Sequence, residues 1–202
     1  MTFTADSRFH TQLIWFNGLL PAALVLFDGW RGALGANPVE FVTRCSGVLS
    51  LIFLIITLAV TPLRKMYGWN WLLKQRRLIG LFAFYYGTAH LITYLAFDRE
   101  GQLSTVAADV LKRPFIAIGM FSFLLMVPLA ITSTNRMIKR LGGKRWAMLH
   151  RLTYVVAIGG VWHYFLIVKS DITFPALFAL WLLVLLGWRV VAALKKAAKV
   201  PQ

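Results

Sequence analysis

The sequence predicts an all-α membrane protein in which six transmembrane helices form one bundle, with both termini in the cytoplasm. Hydrophobic residues occupy 59% of the 202 positions and charged residues only 14%, whereas about a quarter of an ordinary soluble domain is charged. The mean hydropathy is +0.69. Apolar stretches of roughly 20 residues, the length that crosses a bilayer as a helix, recur along the chain, and Lys and Arg gather between alternate stretches.

The six predicted spans follow one another with short connections. The first could be mistaken for a signal peptide, but only Arg8 precedes it, and its apolar stretch continues through Asn17 and Pro21 without a cleavage site. Three later prolines fall near span ends, where a missing backbone N–H costs little. They are Pro62, Pro114 and Pro175. The spans are placed at 12–30, 46–63, 78–97, 114–132, 147–168 and 172–191.

The net charge of +15 is distributed unevenly between the connections. Sixteen Lys and Arg lie on one side of the predicted bundle with Asp6 as the single acid, while six basic residues face six acidic ones on the other side. Lys and Arg in short loops stay on the cytoplasmic side, so the basic side and both termini are predicted to be cytoplasmic. The charge thus indicates the topology of a multi-pass membrane protein and favours contact with anionic lipid. It does not indicate nucleic-acid binding, which needs a solvated basic domain.

Several other functions are disfavoured by what the spans contain. The single cysteine, Cys45, excludes an internal disulfide and metal sites built on paired thiolates. No carboxylate lies deep in a span, which argues against a proton-driven pump. We detect no internal repeat, and the longest connection, around 98–113, leaves no room for a soluble domain. A single transmembrane domain over 1–202 is therefore expected.

Three of the four histidines fall within the predicted spans, where ionisable groups are costly and usually functional. At about 1.5 Å of rise per residue, His90 on the third helix and His163 on the fifth reach nearly the same level in the outer half of the bundle. Two imidazoles at one depth could bind a b-type haem from both faces. Two histidines that only hydrogen-bond between helices would fit the spacing as well. His10 lies outside the spans and is expected to be solvated.

His150 and Arg77 form a second pair of candidates, nearer the cytoplasm. His150 lies about 19.5 Å below His163 on the same predicted helix, so the two cannot bind one iron. It is either a second ligand or a side chain that reaches for interfacial water. Arg77 precedes His90 by thirteen residues, as His150 precedes His163. Its guanidinium could hold a carboxylate, a phosphate or a quinone oxygen, or it could be one more cytoplasmic charge.

These residues leave two classes of function open. One is a redox protein that binds haem. The other is a non-redox membrane scaffold or small transporter whose histidines serve packing or proton transfer. The common depth of His90 and His163, together with the missing deep carboxylates, favours the redox protein.

Several stretches, which together span most of the chain, also carry a resemblance. The longer ones are RRLIGLFAFYYGTAHLITYLAFD at 76–98, LKRPFIAIG at 111–119 with TSTN at 132–135, and LGGKRWAMLHRLTYVVAIGGVWHYFLIVKSD at 141–171. Two shorter ones are LGANPVE at 34–40 and TPLR at 61–64. In combination they resemble the haem-binding membrane subunits of bacterial periplasmic methionine-sulfoxide reductase systems. Those subunits are a branch of the ferric-reductase-like transmembrane family, whose core would lie at about 44–168 here.

The resemblance implies a function and a set of cofactors. Haem b would be bound through His90, His150 and His163, and flavin mononucleotide (FMN) would be a further cofactor. The subunit, not itself catalytic, would take electrons from the quinone pool or a cytoplasmic flavin reductase. It would deliver them to a periplasmic molybdenum-containing methionine-sulfoxide reductase that repairs oxidised proteins. The wider family usually has two histidines on the third helix, so Arg77 at the inner position leaves a second, bis-histidine haem without its usual ligand.

Overall fold

The computed structural model describes residues 7–198, and all the regular structure in that range is helical. After α3 the chain continues into a single turn of π-helix at Tyr94–Asp98. In chain order the helices are α1 (Ser7–Trp30), α2 (Pro38–Tyr67), α3 (Trp71–Thr93), α4 (Leu103–Lys112), α5 (Pro114–Ile131), α6 (Asn135–Leu141), α7 (Gly143–Leu149), α8 (Leu152–Ile167) and α9 (Thr173–Ala197).

The ends of α2 show how local sequence sets a helix boundary. The Asn37 side-chain oxygen accepts a hydrogen bond from the Glu40 backbone N–H at 3.1 Å, and Pro38 occupies the first turn, where no N–H is needed. At the other end Gly68 adopts a left-handed conformation with φ 72° and donates its N–H to the Arg64 carbonyl. The 30 residues between these caps are about 45 Å long, enough to cross the bilayer and both its interfaces.

The centre of the bundle is formed by α2, α3, α5 and α8. Helix α2 packs along α3, and α5 packs along α8, while α1 lies against α3 and α9 lies against α2 and α8. Outward-facing apolar side chains such as Leu26 and Leu183 are 74% and 69% exposed, as suits contact with lipid. The buried core consists of Leu51, Leu54, Leu58, Ala83, Met126, Leu129, Val156, Ala157, Val161, Leu182 and Leu185.

Within the described residues, five helices are long and apolar enough to cross a membrane: α1, α2, α3 with its π-helical turn, α5 and α9. They coincide with five of the six predicted spans. The fifth predicted span, a continuous helix over 147–168, is wrong at its start. Helix α8 begins only at Leu152 and has 16 residues, and the short helix α7 precedes it.

The interruption between α7 and α8 is a local tightening of the backbone around His150. Hydrogen bonds from Arg151 N to Met148 O and from Tyr154 N to Arg151 O connect residues three apart, as in a 3₁₀-helix. Hydropathy averaged over a window does not report such a turn, because its two polar residues, His150 and Arg151, are flanked by apolar residues on both sides.

At the other end of the core helices, a polar cluster joins α3 to α4 and α5. Asp109 on α4 is buried, with 8% of its surface exposed, and accepts a hydrogen bond from the Tyr94 hydroxyl at 2.7 Å. The same carboxylate pairs with Arg99 Nε at 2.7 Å and, more distantly, with Arg113 Nε at 3.6 Å. The π-helical end of α3 is thereby attached to the start of α5.

We expect the Asp109→Asn substitution to destabilise the protein. Removal of one partner from a buried ion pair costs about 3–5 kcal/mol, because the other charge stays buried, and we expect the lower end since Asn can still accept from Tyr94. The measurement is the thermal unfolding midpoint in detergent, followed by circular dichroism. Glu40→Gln is the matched control: its pair with Arg44 has side chains 48% and 74% exposed, so about 0–1 kcal/mol is expected. Equal unfolding midpoints for the two variants would contradict a stabilising role for the buried Asp109 carboxylate.

Candidate functional site

His90 and His163 lie next to each other at the centre of the bundle. His90 comes from α3 and His163 from α8, and their ring centroids are 6.0 Å apart with the ring planes at 89°. Both side chains are partly buried. The common level that helical rise predicts for the two residues is confirmed.

Each of these imidazoles is held by a backbone carbonyl of a neighbouring helix. His90 Nδ1 lies 2.8 Å from the Thr43 carbonyl oxygen on α2, and His163 Nδ1 lies 2.6 Å from the Phe115 carbonyl oxygen on α5. A carbonyl oxygen only accepts, so Nδ1 must carry the proton in both rings. Nε2 is then unprotonated and has a lone pair available for a metal.

This arrangement fits a haem iron. Histidines that bind metals almost always donate their other ring N–H to a carbonyl or carboxylate, which fixes the tautomer. Two imidazoles that bind one ion at metal–nitrogen distances of about 2 Å have centroids about 6 Å apart, close to the separation of His90 and His163. The pair supplies two ligands, which is what an iron in a porphyrin still requires.

His150 is not part of this pair. Its Nε2 lies 3.1 Å from the Thr132 hydroxyl, which donates its own proton to the Pro128 carbonyl at 2.6 Å. The hydroxyl therefore accepts from His150 Nε2–H. The His150 ring also stacks on Trp146 at 4.0 Å between centroids, and Trp146 Nε1 donates to the Thr132 carbonyl. His150 thus presents Nδ1, not Nε2, as its free acceptor.

His150 and Arg77 are brought together, since both line a cavity of about 200 Å³ between α3, α5 and the α7–α8 turn. Arg76 and Arg151 line the same cavity, and none of its lining side chains is acidic. Arg77 also borders an open groove of about 710 Å³ on the outside of the cavity. Three guanidinium groups without a carboxylate make this cavity suited to an anion or to a polarisable oxygen. Sequence alone does not distinguish Arg76, because two adjacent arginines in a basic loop both fit the positive charge expected on the cytoplasmic side.

The fourth histidine lies elsewhere. His10 on α1 stacks on Trp71 with ring centroids 4.1 Å apart, and its side chain is partly buried. The expectation that His10 is solvated is therefore wrong. Hydropathy placed it outside the first span, but α1 begins at Ser7, so His10 lies within the helix.

The known proteins that are similar to this chain fall into one family. Residues 46–161 match the family described as "Ferric reductase like transmembrane component". Proteins named "Protein-methionine-sulfoxide reductase heme-binding subunit MsrQ" match over most of their length. The one from Azospira oryzae is 51% identical, over 88% of this chain and 76% of its own. The one from Herminiimonas arsenicoxydans is 47% identical, over 93% and 87%.

A third such protein, from Ralstonia nicotianae, is 46% identical over 88% of this chain and 82% of its own. No solved structure matches the chain. With its apolar helices and this transmembrane family, the protein is a multi-pass protein of the inner membrane. The chain belongs to the MsrQ family of haem-binding subunits, within the ferric-reductase-like transmembrane proteins.

Proposed function

We propose that this chain is a haem b-containing electron-transfer subunit of the inner membrane. It passes electrons from the quinone pool, or from a cytoplasmic flavin reductase, to a periplasmic molybdenum-containing methionine-sulfoxide reductase that repairs oxidised proteins. One observation supports the haem assignment. The rings of His90 and His163 lie 6.0 Å apart between centroids, and Nδ1 of each is hydrogen-bonded to a backbone carbonyl. The relatives, named heme-binding subunits of a protein-methionine-sulfoxide reductase, support the partner.

The proposed topology has six spans, with the fifth formed by α7, the turn at His150 and α8 together. Both termini are cytoplasmic, and 1–202 is one transmembrane domain with its ferric-reductase-like core at about 44–168. The sixteen basic residues on the predicted inner side support this orientation. It puts His90 and His163 in the outer half of the membrane and the arginine-lined cavity in the inner half.

In this proposal His90 and His163 hold the haem through their Nε2 atoms. When bound, haem supplies a reversible one-electron iron centre. The chain's own contribution is to hold both imidazoles with a proton on Nδ1. The carbonyls of Thr43 and Phe115 make the ligands more basic by accepting their Nδ1–H bonds. The surrounding apolar helices limit water, which further tunes the potential of such a centre.

His150 and Arg77, with Arg76, form the proposed entry point for electrons. Guanidinium groups can orient a quinone oxygen or a phosphate, and the free Nδ1 of His150 can accept a proton. The cavity of about 200 Å³ is smaller than the usual 300–1,000 Å³ of ligand pockets, so it suits a quinone head group. FMN would also require the adjoining groove of about 710 Å³, and Arg77 borders both spaces.

Substitution of either proposed haem ligand tests the function directly. We expect His90→Ala and His163→Ala each to abolish the low-spin Soret band of the purified protein, because each removes one of the two imidazoles that would hold the haem. His10→Ala, which changes a histidine outside the site, should retain it. A full Soret band and unchanged low-spin spectra in both site variants would refute the assignment, as would a colourless wild-type protein, the result expected of a non-redox scaffold or transporter.

Electron delivery is checked on the same wild-type preparation. After reduction by a quinol or by a flavin reductase, the haem should be reoxidised when the periplasmic reductase and a protein containing methionine sulfoxide are added. Reoxidation that does not depend on the periplasmic reductase would contradict the proposed partner.

The role of the inner cavity is tested by His150→Ala and Arg77→Leu. If His150 binds a second haem, the haem-to-protein ratio falls by half in His150→Ala. If the cavity is a quinone or flavin site, the ratio stays constant and reduction by quinol or reduced flavin slows in both variants. Lys139→Leu, which removes a cytoplasmic charge outside the cavity, is the control. Wild-type reduction rates and haem content in both variants would contradict any role in electron entry.

The orientation is tested with single cysteines in a Cys45→Ser background. A membrane-impermeant maleimide should label Ser104→Cys on α4 in intact cells, because α4 follows the outer end of α3. It should label Ala198→Cys, just after α9, only once the membrane is permeabilised. The reverse pattern would show that the basic side faces the periplasm.

A further inference from the structure

Two pairs of core helices share a short sequence pattern: Gly-x-x-Ser on the first helix of the pair and Gly-x-x-His on the second. In the first pair, GVLS at 47–50 on α2 is followed by GTAH at 87–90 on α3. In the second, GMFS at 119–122 on α5 is followed by GVWH at 160–163 on α8. In each pair the pattern ends on the histidine that faces the other pair.

The glycine on the first helix of each pair lies against the imidazole ring of the second helix. A Cβ built on Gly47 would come 3.0 Å from His90 Nδ1, and one built on Gly119 would come 2.7 Å from His163 Nδ1. A contact of 2.7 Å is one that real Cβ atoms essentially never make, and one of 3.0 Å is tighter than most, so each ring occupies the space that a Cβ would need. Glycine here serves the close approach of a neighbouring side chain to the helix backbone.

The carbonyl that accepts each Nδ1–H bond lies four residues before that glycine. Thr43 precedes Gly47 and Phe115 precedes Gly119, and residues four apart lie on the same face of a helix. The acceptor and its histidine are 47 residues apart in the first pair and 48 in the second. The glycine therefore leaves open the face of the helix on which the carbonyl can be reached.

The serine of each pattern keeps its two helices close. Ser50 Oγ donates to the Ala83 carbonyl across α2 and α3 at 2.8 Å. A Cβ on Gly159 would overlap Ser122 Oγ, at 2.2 Å, across α5 and α8. The first contact lies about two turns before His90 and the second about one turn before His163. Both bring the backbones near enough for an imidazole to reach the opposite carbonyl.

We propose that Gly47 and Gly119 are positioning residues. With the carbonyls of Thr43 and Phe115, they set the tautomer of His90 and His163 and aim both Nε2 atoms into the shared haem site. This inference rests on the haem assignment proposed above. The second unit is the tighter one, since its hydrogen bond is 2.6 Å against 2.8 Å and its glycine is closer to the ring.

The experiment compares Gly119→Ala and Gly47→Ala in the full-length, haem-loaded protein. We expect Gly119→Ala to lower haem affinity about tenfold, because groups that orient a metal-bound histidine typically contribute 10–100-fold. Gly47→Ala should lower it less and should change the low-spin electron paramagnetic resonance signal and the midpoint potential. Gly187→Ala on α9 is the control: a Cβ there would meet nothing within 4 Å, and Gly187 does not line the arginine-rich cavity, so wild-type values are expected.

A second readout uses the haem-free protein with ¹⁵N-labelled histidine. Nuclear magnetic resonance should find His90 and His163 protonated at Nδ1 in the wild type. The proton should shift towards Nε2 in His90 of the Gly47→Ala protein and in His163 of the Gly119→Ala protein. This readout separates the inference from the proposed function, because it does not require haem. Loss of the haem assignment in the His90→Ala and His163→Ala experiment would leave it measurable.

The outcome that overturns the inference is specific. A Gly119→Ala protein with wild-type circular dichroism, haem affinity, resonance signal and tautomer would refute the positioning role. If Gly119→Ala does not accumulate in the membrane, Gly47→Ala decides by the same criteria, since its milder contact leaves a foldable protein. An equal loss of haem in Gly187→Ala would also refute it, because the effect would then follow from replacing any helical glycine.

Discussion

The hydrogen bond from an imidazole Nδ1–H to a backbone carbonyl of the adjacent helix organises the centre of this protein. It occurs twice, between α2 and α3 through Thr43 and between α5 and α8 through Phe115. A carbonyl within a helix already accepts a hydrogen bond from the N–H of the residue four positions later. Its second lone pair remains available for a side chain. Lipid provides no hydrophobic force between helices, so polar contacts of this kind and close glycine packing determine how the pairs sit.

Different hydrogen-bond acceptors leave different ring nitrogens free in the histidines of this protein. At His163 a carbonyl takes the proton of Nδ1 and leaves Nε2 free. At His150 a threonine hydroxyl, already committed as a donor to Pro128, takes the proton of Nε2 and leaves Nδ1 free. The first ring is set for an uncharged apolar site between helices. The second faces a cavity lined by arginines, where an anion is favoured. The protein thus separates an apolar site between helices from a cavity lined by cationic side chains.

Hydropathy and helical rise were sufficient to place five spans and to bring His90 and His163 to one level. They could not find Gly47 or Gly119, because the role of a glycine depends on which helix packs against it, and pairing is not written in one helix's own pattern. Nor could they find the break before α8, since the two polar residues there, His150 and Arg151, lie between apolar residues and do not end a span by hydropathy. Trp146 stacks on His150, as side chains four residues apart on a helix can.

The two halves of the central site differ in how firmly they are held. His163 lies in a regular helix against a glycine that leaves no slack. His90 lies one turn before the π-helical segment Tyr94–Asp98, which Asp109 ties to α4. π-Helical turns are uncommon and often found at functional sites. Ligand geometry and hydrogen bonding both affect a metal centre's potential. Changes near Tyr94 or Asp109 therefore act on the site through His90, while His163 keeps its position.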